Sequence, residues 1–310
     1  MVTLIGLSRT LFVARKPHVI LLLRLMNKKR TITFRNGVSL CLNWSQFRDL
    51  RDSYSIMQKY SINQLGNDLF RAKFEHFDLA APMSIICPVS ELIEKYTVEK
   101  IGDDVFRIKS NTFELVGSSY MLRTVWELDR GEYEGDYAGK VVLDVGGFQG
   151  ESAVFFHLKG AKKVIIYEPV KAHQDFLKQN ILQNCVNAEI HIAGIGPHDG
   201  AQIIHFEKTD VTFGPYSKGQ LQMEIEVKSV ADVIAKSGAD IAKFDCEGAE
   251  EYLVNVSSEI LRKIDLYVLE VHGHERRKAI IKKFEASEFK LMKAEIKGPE
   301  IGTFWFSRKR

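Results

Sequence analysis

From Lys140 onward, short apolar runs alternate along the chain with longer amphipathic stretches. Runs rich in Val, Ile, Leu and Phe predict strands near 140–145, 162–167, 188–193, 240–245 and 265–271. Helical segments fall between them, including Lys171–Gln183, Glu250–Lys263 and Glu275–Phe289. Such alternation predicts a parallel sheet with helices on both faces, because parallel neighbours need a long crossover. The last two strands, Leu291–Ile296 and Thr303–Ser307, are joined by Lys297-Gly-Pro-Glu300. That link is too short for a helical crossover, so the pair must be antiparallel.

The first part of the chain has a different pattern. Thr31–Leu42 reads as a β-hairpin, two alternating runs around Asn36-Gly37, the dipeptide favoured in tight primed turns. Residues 44–80 look helical and polar-rich, and Pro82 and Pro88 break the segment after them. Asp104–Lys109 and Thr112–Val116 suggest a further strand pair. Residues 1–135 therefore read as an α+β accessory region concerned with substrate recognition. It ends in the charged linker Asp129–Asp136, and the main domain spans 136–310.

Composition changes this picture little. The chain has 310 residues, 45% hydrophobic and 27% charged, which is ordinary for a soluble globular protein. Cys41, Cys87, Cys185 and Cys246 are far apart with no C-x-x-C pair. That argues against a structural zinc site or a disulfide framework and fits a reducing, cytoplasmic compartment. Charge is more informative. The net charge is +3, yet residues 1–30 alone carry seven Lys/Arg and no acid, so the remainder sums to −4. The apolar run Val19–Leu23 is much too short to span a membrane. A basic, apolar N-terminal helix could lie on an anionic membrane surface or pack on the main domain with its charges solvated. The acidic body, and a basic segment whose only interleaved aromatic is Phe12, argue against nucleic acid.

The candidate chemistry starts at Lys140-Val-Val-Leu-Asp-Val-Gly-Gly-Phe-Gln-Gly-Glu-Ser152. A buried strand, a glycine-rich turn and a helix start bring backbone N–H groups against a nucleotide-like ligand. Eighteen residues past Gly150, at the end of the next apolar strand, Glu168 can accept both hydroxyls of a ribose. A dinucleotide fingerprint would need glycines at 148 and 151, where the chain has Phe148 and Glu151. The spacing present, Asp144-x-Gly146-x-x-x-Gly150, is the form seen in enzymes that bind S-adenosylmethionine (SAM). That ligand has no pyrophosphate, and its ammonium and sulfonium groups favour nearby carboxylates. A second polar strand end, Asp240-Ile-Ala-Lys-Phe-Asp-Cys-Glu-Gly-Ala-Glu250, should bring Asp245 and Glu247 to the same crevice. The strand ending Leu269-Glu-Val-His272 adds Glu270 and His272.

Asp144-Val-Gly-Gly-Phe-Gln-Gly150, Tyr167-Glu-Pro169 and Lys243-Phe-Asp-Cys-Glu-Gly-Ala-Glu250 resemble the FkbM family of SAM-dependent methyltransferases over roughly residues 138–307. Gly147 and Phe148 stand where that family usually has Ala-Asn. The resemblance implies a Rossmann-like class I methyltransferase sheet, seven-stranded and mostly parallel with an antiparallel last strand. It also implies an O-methyltransferase acting on a sugar, glycan or small natural product. By chemistry and resemblance, Gly146, Gly147 and Gly150 bound the methionine end of SAM, and Glu168 holds the ribose. Asp144 orients the turn or meets the methionine ammonium, Pro169 covers a face of the adenine, and Asp199 faces its exocyclic amine. An alcohol acceptor needs a base, and Asp245, Glu247 and His272 are the candidates. No metal is assigned, although Asp245 and Glu247 with a nearby acid offer oxygen ligands for Mg²⁺. Cys246 alternates with the two acids and should point into the core. The alternatives are an RNA methyltransferase using the basic N-terminal segment, and a non-catalytic protein that keeps the fold.

Overall fold

The computed structural model describes residues 29–33, 39–43, 46–47, 59–206, 221–298 and 300–309. Contacts divide the chain into two compact units, Met1–Asn111 with Gly117–Glu127, and Thr112–Val116 with Leu128–Arg310. The expected basic N-terminal helix and membrane-surface contact, the expected Asn36-Gly37 turn and the insert around Glu207–Gly219 fall outside the described residues.

In the first unit β1 (Arg30–Thr33) pairs antiparallel with β2 (Ser39–Leu42). Three more strands follow: β3 (Ser61–Gln64), β4 (Phe70–Lys73) and β5 (Asp78–Ala81), forming an antiparallel sheet. The expectation of helix through residue 80 is therefore wrong over this stretch. Phe70, Ala72 and Phe74 are buried at alternate positions, and Gly66 sits in the loop between β3 and β4. A period of two outweighs the polar composition that suggested a helix.

Helix α1 (Met83–Leu92) starts directly after Pro82 and contains Pro88. Pro82 fits because a helix start needs no N–H from that residue. Pro88 removes one intrahelical bond but is held in a helix buried at eight of its ten positions. Strands β6 (Thr97–Lys100) and β7 (Phe106–Lys109) pair antiparallel. A further short strand, β8 (Glu114–Gly117), precedes α2 (Ser119–Asp129), which buries Met121, Leu122 and Val125.

The second unit is built on β9 (Val141–Val145), α3 (Glu151–Leu158), β10 (Lys163–Tyr167), α4 (Lys171–Gln183) and β11 (Ala188–His191). A small side sheet comes next, with β12 (Gly194–Gly196), β13 (Gly200–Phe206) and β14 (Leu221–Ser229) in the order β12-β14-β13. The chain returns through α5 (Val230–Ser237) to β15 (Ile241–Phe244). A 3₁₀ helix (Ala249–Asn255) and the single turn α6 (Ser258–Leu261) then take the place of the continuous helix expected over 250–263. Val256 turns extended, and the Ser257 hydroxyl accepts from the Ile260 N–H, starting a new helix. Last come β16 (Leu266–His272), α7 (His274–Ala286), β17 (Phe289–Ile296) and β18 (Ile301–Arg308).

The seven main strands lie in the order β11-β10-β9-β15-β16-β18-β17. Six run in one direction, and β18 runs antiparallel to them between β16 and β17. This is the class I methyltransferase sheet. The strand order reverses between β9 and β15, where ligands of open α/β sheets bind. One face of the sheet is hydrophobic. Leu143, Phe244, Tyr267, Leu269 and Phe306 pack there on Phe284 of α7 and Leu253 of the 3₁₀ helix. The Tyr267 and Phe284 rings meet at 4.9 Å, edge to face, and Phe284 and Phe306 at 4.6 Å. The other face carries a polar row. Lys243 lies opposite Asp144 on β9, and Glu270 opposite Thr303 on β18. No helix among the described residues is long and apolar enough to cross a membrane.

Candidate functional site

The glycine turn leaves β9 under close constraint. Gly146 has φ +84°, and a Cβ there would lie 1.8 Å from the Asp245 carbonyl oxygen. Only glycine lets the ends of β9 and β15 approach this closely. A Cβ on Gly147 would meet Ile166 Cγ2 at 2.3 Å, and Gly150 takes φ +93° at the start of α3. Asn180 on α4 fastens the turn to β8: its amide donates to Gln149 and Val116 carbonyls and accepts from the Val116 N–H.

Asp144 is fully buried and faces inward. One oxygen accepts from the Ser152 hydroxyl at 2.6 Å, and the other lies 3.1 Å from Lys243 Nζ. Burial opposes a charged Lys243, but Asp144, and Asp245 beyond it, hold its pKa above the usual lysine value. Nζ also donates to the Gly146 carbonyl at 2.5 Å. Through Lys243, Asp144 is thus linked to the Gly146 carbonyl of the turn.

Glu168, buried at the end of β10, is surrounded by donors. Its Oε2 accepts from the Phe148 N–H at 2.9 Å, and its Oε1 from the Val170 N–H at 2.7 Å. His173 Nδ1 approaches Oε1 at 3.2 Å. The structure thus brings Glu168 to the glycine turn through Phe148, a non-glycine residue at φ +45°. Pro169 lies half-buried, its Cγ 3.5 Å from where a Cβ on Gly194 would stand. Asp199 is exposed, and its carboxylate accepts from the Ser229 N–H at 2.7 Å, tying the β12–β13 turn to the end of β14.

Across the switch point the acids crowd together. Asp245 accepts from the Tyr133 hydroxyl at 2.7 Å. Burial, then Glu270, raises its pKa, while Lys243, His272 and Tyr133 pull it back. Glu247 has φ +55°, and the following turn is held by Glu250. Glu250, with no exposed surface, accepts from the Cys246 N–H at 2.8 Å and the Gly248 N–H at 2.9 Å. His272 lies among three carboxylates: Nδ1 is 3.4 Å from Glu250, and Nε2 is 3.5 Å from Glu247 and 3.6 Å from Glu270. Burial works against the imidazolium, but Glu250, Glu247 and Asp245 outweigh it and raise the pKa to about 10. Glu247 is raised to about 7, chiefly by burial, against the pull of His272. Glu270 goes the other way. Burial would raise it, but Lys297, supported by Glu132 and His272, holds it at about 2.

No family model matches the chain, and no curated protein matches it. Solved structures similar to it include methyltransferases. The M. jannaschii tRNA m1G37 methyltransferase is 16% identical over 81% of this chain and 75% of its own, with a TM-score of 0.43. M. jannaschii TYW2 in complex with AdoMet is 13% identical over 69% and 90%, with a TM-score of 0.41. The ribosomal protein L11 methylase of Lactobacillus delbrueckii subsp. bulgaricus is 15% identical over 63% and 81%, with a TM-score of 0.38. Identities and TM-scores this low do not bear on what this chain binds.

Chemically, the crevice sets two kinds of carboxylate side by side. One meets three donors in fixed geometry, and the others share too few cations. Asp245, Glu250 and His272 offer ligand atoms within 4.8 Å of one another, a spacing that could hold a metal ion. At neutral pH the His272 imidazolium already supplies a positive charge there. Cys246 packs partly against the main core, and burial raises its thiol well above the usual value, so it is no nucleophile.

Several residues of this site do not stand out in the sequence. Lys243 carries a signal: a lone charge inside an apolar strand needs a partner, and Asp144 interrupts the neighbouring strand in the same way. Tyr133, Glu132 and Lys297 carry none, because only folding brings the 128–137 segment and the β17–β18 turn to the ends of β15 and β16.

Proposed function

We propose that the chain is a SAM-dependent methyltransferase that methylates a hydroxyl of a sugar, glycan or small natural product. The observation that carries this reading is the contact of Gly146 with the Asp245 carbonyl. It joins the turn that would bound the methionine end of the donor to the acids that would serve the acceptor. The donor set fits the ligand. Glu168 is a carboxylate fixed by backbone amides and able to accept from a ribose hydroxyl.

Bound there, SAM supplies an electrophilic methyl group. The chain's own task is to align the acceptor and to take its proton as attack proceeds. Glu247 suits that task, since a base titrating at about 7 is ionised in useful amount at neutral pH and still holds a proton well. His272 does not. Its ring is already protonated at neutral pH, so it acts as a cation steadying Glu247 rather than as the base. Asp245, fixed by Tyr133, orients the acceptor. The free thiols Cys41, Cys87, Cys185 and Cys246 fit a cytoplasmic setting.

The test is calorimetric titration of the protein with SAM, then a screen of hydroxyl-bearing acceptors for formation of S-adenosylhomocysteine (SAH). The reading expects SAM binding and SAH formation that depends on a hydroxyl acceptor. No binding at millimolar SAM would refute it. Turnover on RNA alone, falling steeply with salt, would replace the acceptor class.

A further inference from the structure

We propose that His173 is a positioning residue for the cofactor, restricting Glu168 to a single ribose hydroxyl, received at Oε2. This rests on the reading above, in which Glu168 meets the ribose.

A carboxylate has about four acceptor positions. In Glu168, Oε1 takes the Val170 N–H and faces His173 Nδ1, while Oε2 takes only the Phe148 N–H. With the proton on Nδ1, the imidazole completes Oε1 and leaves one position, on Oε2. His173 is itself held at its backbone and at its ring. Its backbone N–H donates to the Val170 carbonyl at 3.0 Å. The Phe148 ring meets its ring edge to face, with centroids 4.4 Å apart. Glu168 and His173 are both almost fully buried, so water does not compete for these bonds.

Phe148 thus acts twice. Its amide binds Oε2 and its ring seats the histidine. An Asn at 148, the residue usual in the resembling family, would keep the amide and lose the ring contact. The second ribose hydroxyl must then find its partner elsewhere than on Glu168.

The experiment is calorimetry with SAH and its 2′-deoxy and 3′-deoxy analogues on the wild type, His173→Phe and His173→Asn. Phenylalanine keeps a ring against Phe148 but removes the donor. Asparagine places an amide donor near the Nδ1 position. His173→Phe is expected to weaken SAH binding about tenfold, and His173→Asn to stay close to wild type. The His173→Phe loss should vanish for one deoxy analogue and persist for the other. A His173→Phe protein that binds SAH like the wild type would overturn the proposal. So would an equal loss for all three ligands, which would mark a general packing defect. Should His173→Phe not fold, the two analogues on the wild type and Glu168→Ala decide. A Glu168→Ala loss that vanishes for one analogue only supports a single hydroxyl at Glu168, and a loss reduced equally for both contradicts it. If the wild type binds neither SAM nor SAH, the methyl-donor reading fails instead.

Discussion

Two glutamates on either side of the switch point have the same side chain and opposite surroundings. Glu168 meets two backbone N–H groups and an imidazole. Glu247, only partly buried, faces Asp245, Glu250 and Glu270, with His272 its main opposing cation. A carboxylate given donors in a fixed geometry is suited to hold a ligand hydroxyl. A carboxylate crowded by other acids holds its own proton more tightly and is suited to receive one. On the proposed reading, the contrast puts binding on one side of the crevice and proton transfer on the other. It is set by neighbours, not by residue type.

The largest expected effect comes from removing the base. Glu247→Gln should lower kcat by about 100- to 10,000-fold with SAM affinity unchanged, as read from steady-state rates and calorimetry. Next is the pair that underlies both sides. Lys243→Met leaves Asp144 buried without its cation and frees the Gly146 carbonyl. It should cost about 3–5 kcal/mol in urea unfolding. A loss below about 1 kcal/mol, the range of exposed pairs, would mean the pair does not organise the turn. Glu168→Ala should weaken SAM binding about 10- to 100-fold while leaving the acidic limb of the rate profile in place.

Smaller effects sharpen the proton side. In the wild type, kcat/KM should rise with pH through about 7 as Glu247 ionises. His272 lowers the pKa of Glu247. His272→Gln should therefore move that limb upward by about one pH unit. Stability carries the same signature. Folding raises His272 from 6.5 to about 10, so its contribution is whole below 6.5 and is lost as pH rises through about 10. Folding lowers Glu270 from 4.5 to about 2, so its contribution is present above 4.5 and is lost as pH falls toward 2. Thermal melts of His272→Gln should show the alkaline loss flattened and the acid loss retained.

The main sheet is largely legible in the sequence because its strands are uninterrupted apolar runs ending in charged or glycine residues. The closing hairpin is legible from the length of one loop. The region 61–81 is not, because short two-faced strands in polar company lack a long apolar signal. Strand β14 hides for a related reason. Its alternation Met223, Ile225, Val227 against Gln222, Glu224, Glu226 reads as a charged insert unless the period is counted. In the site, Asp245, Glu247 and His272 can be named from strand ends. Preferring Glu247 over His272 as the proposed base requires distances, since the carboxylates around the imidazole come from two segments, the turn after β15 and the end of β16. His173 has no signal of its own, being one polar residue in the first turn of a helix.

The division of labour is tested most directly by titrating SAM into Glu168→Ala and Glu247→Gln side by side with the wild type. The account predicts at least a tenfold loss of affinity for Glu168→Ala and an unchanged value for Glu247→Gln. Wild-type affinity in Glu168→Ala, or an equal loss in both variants, would contradict it.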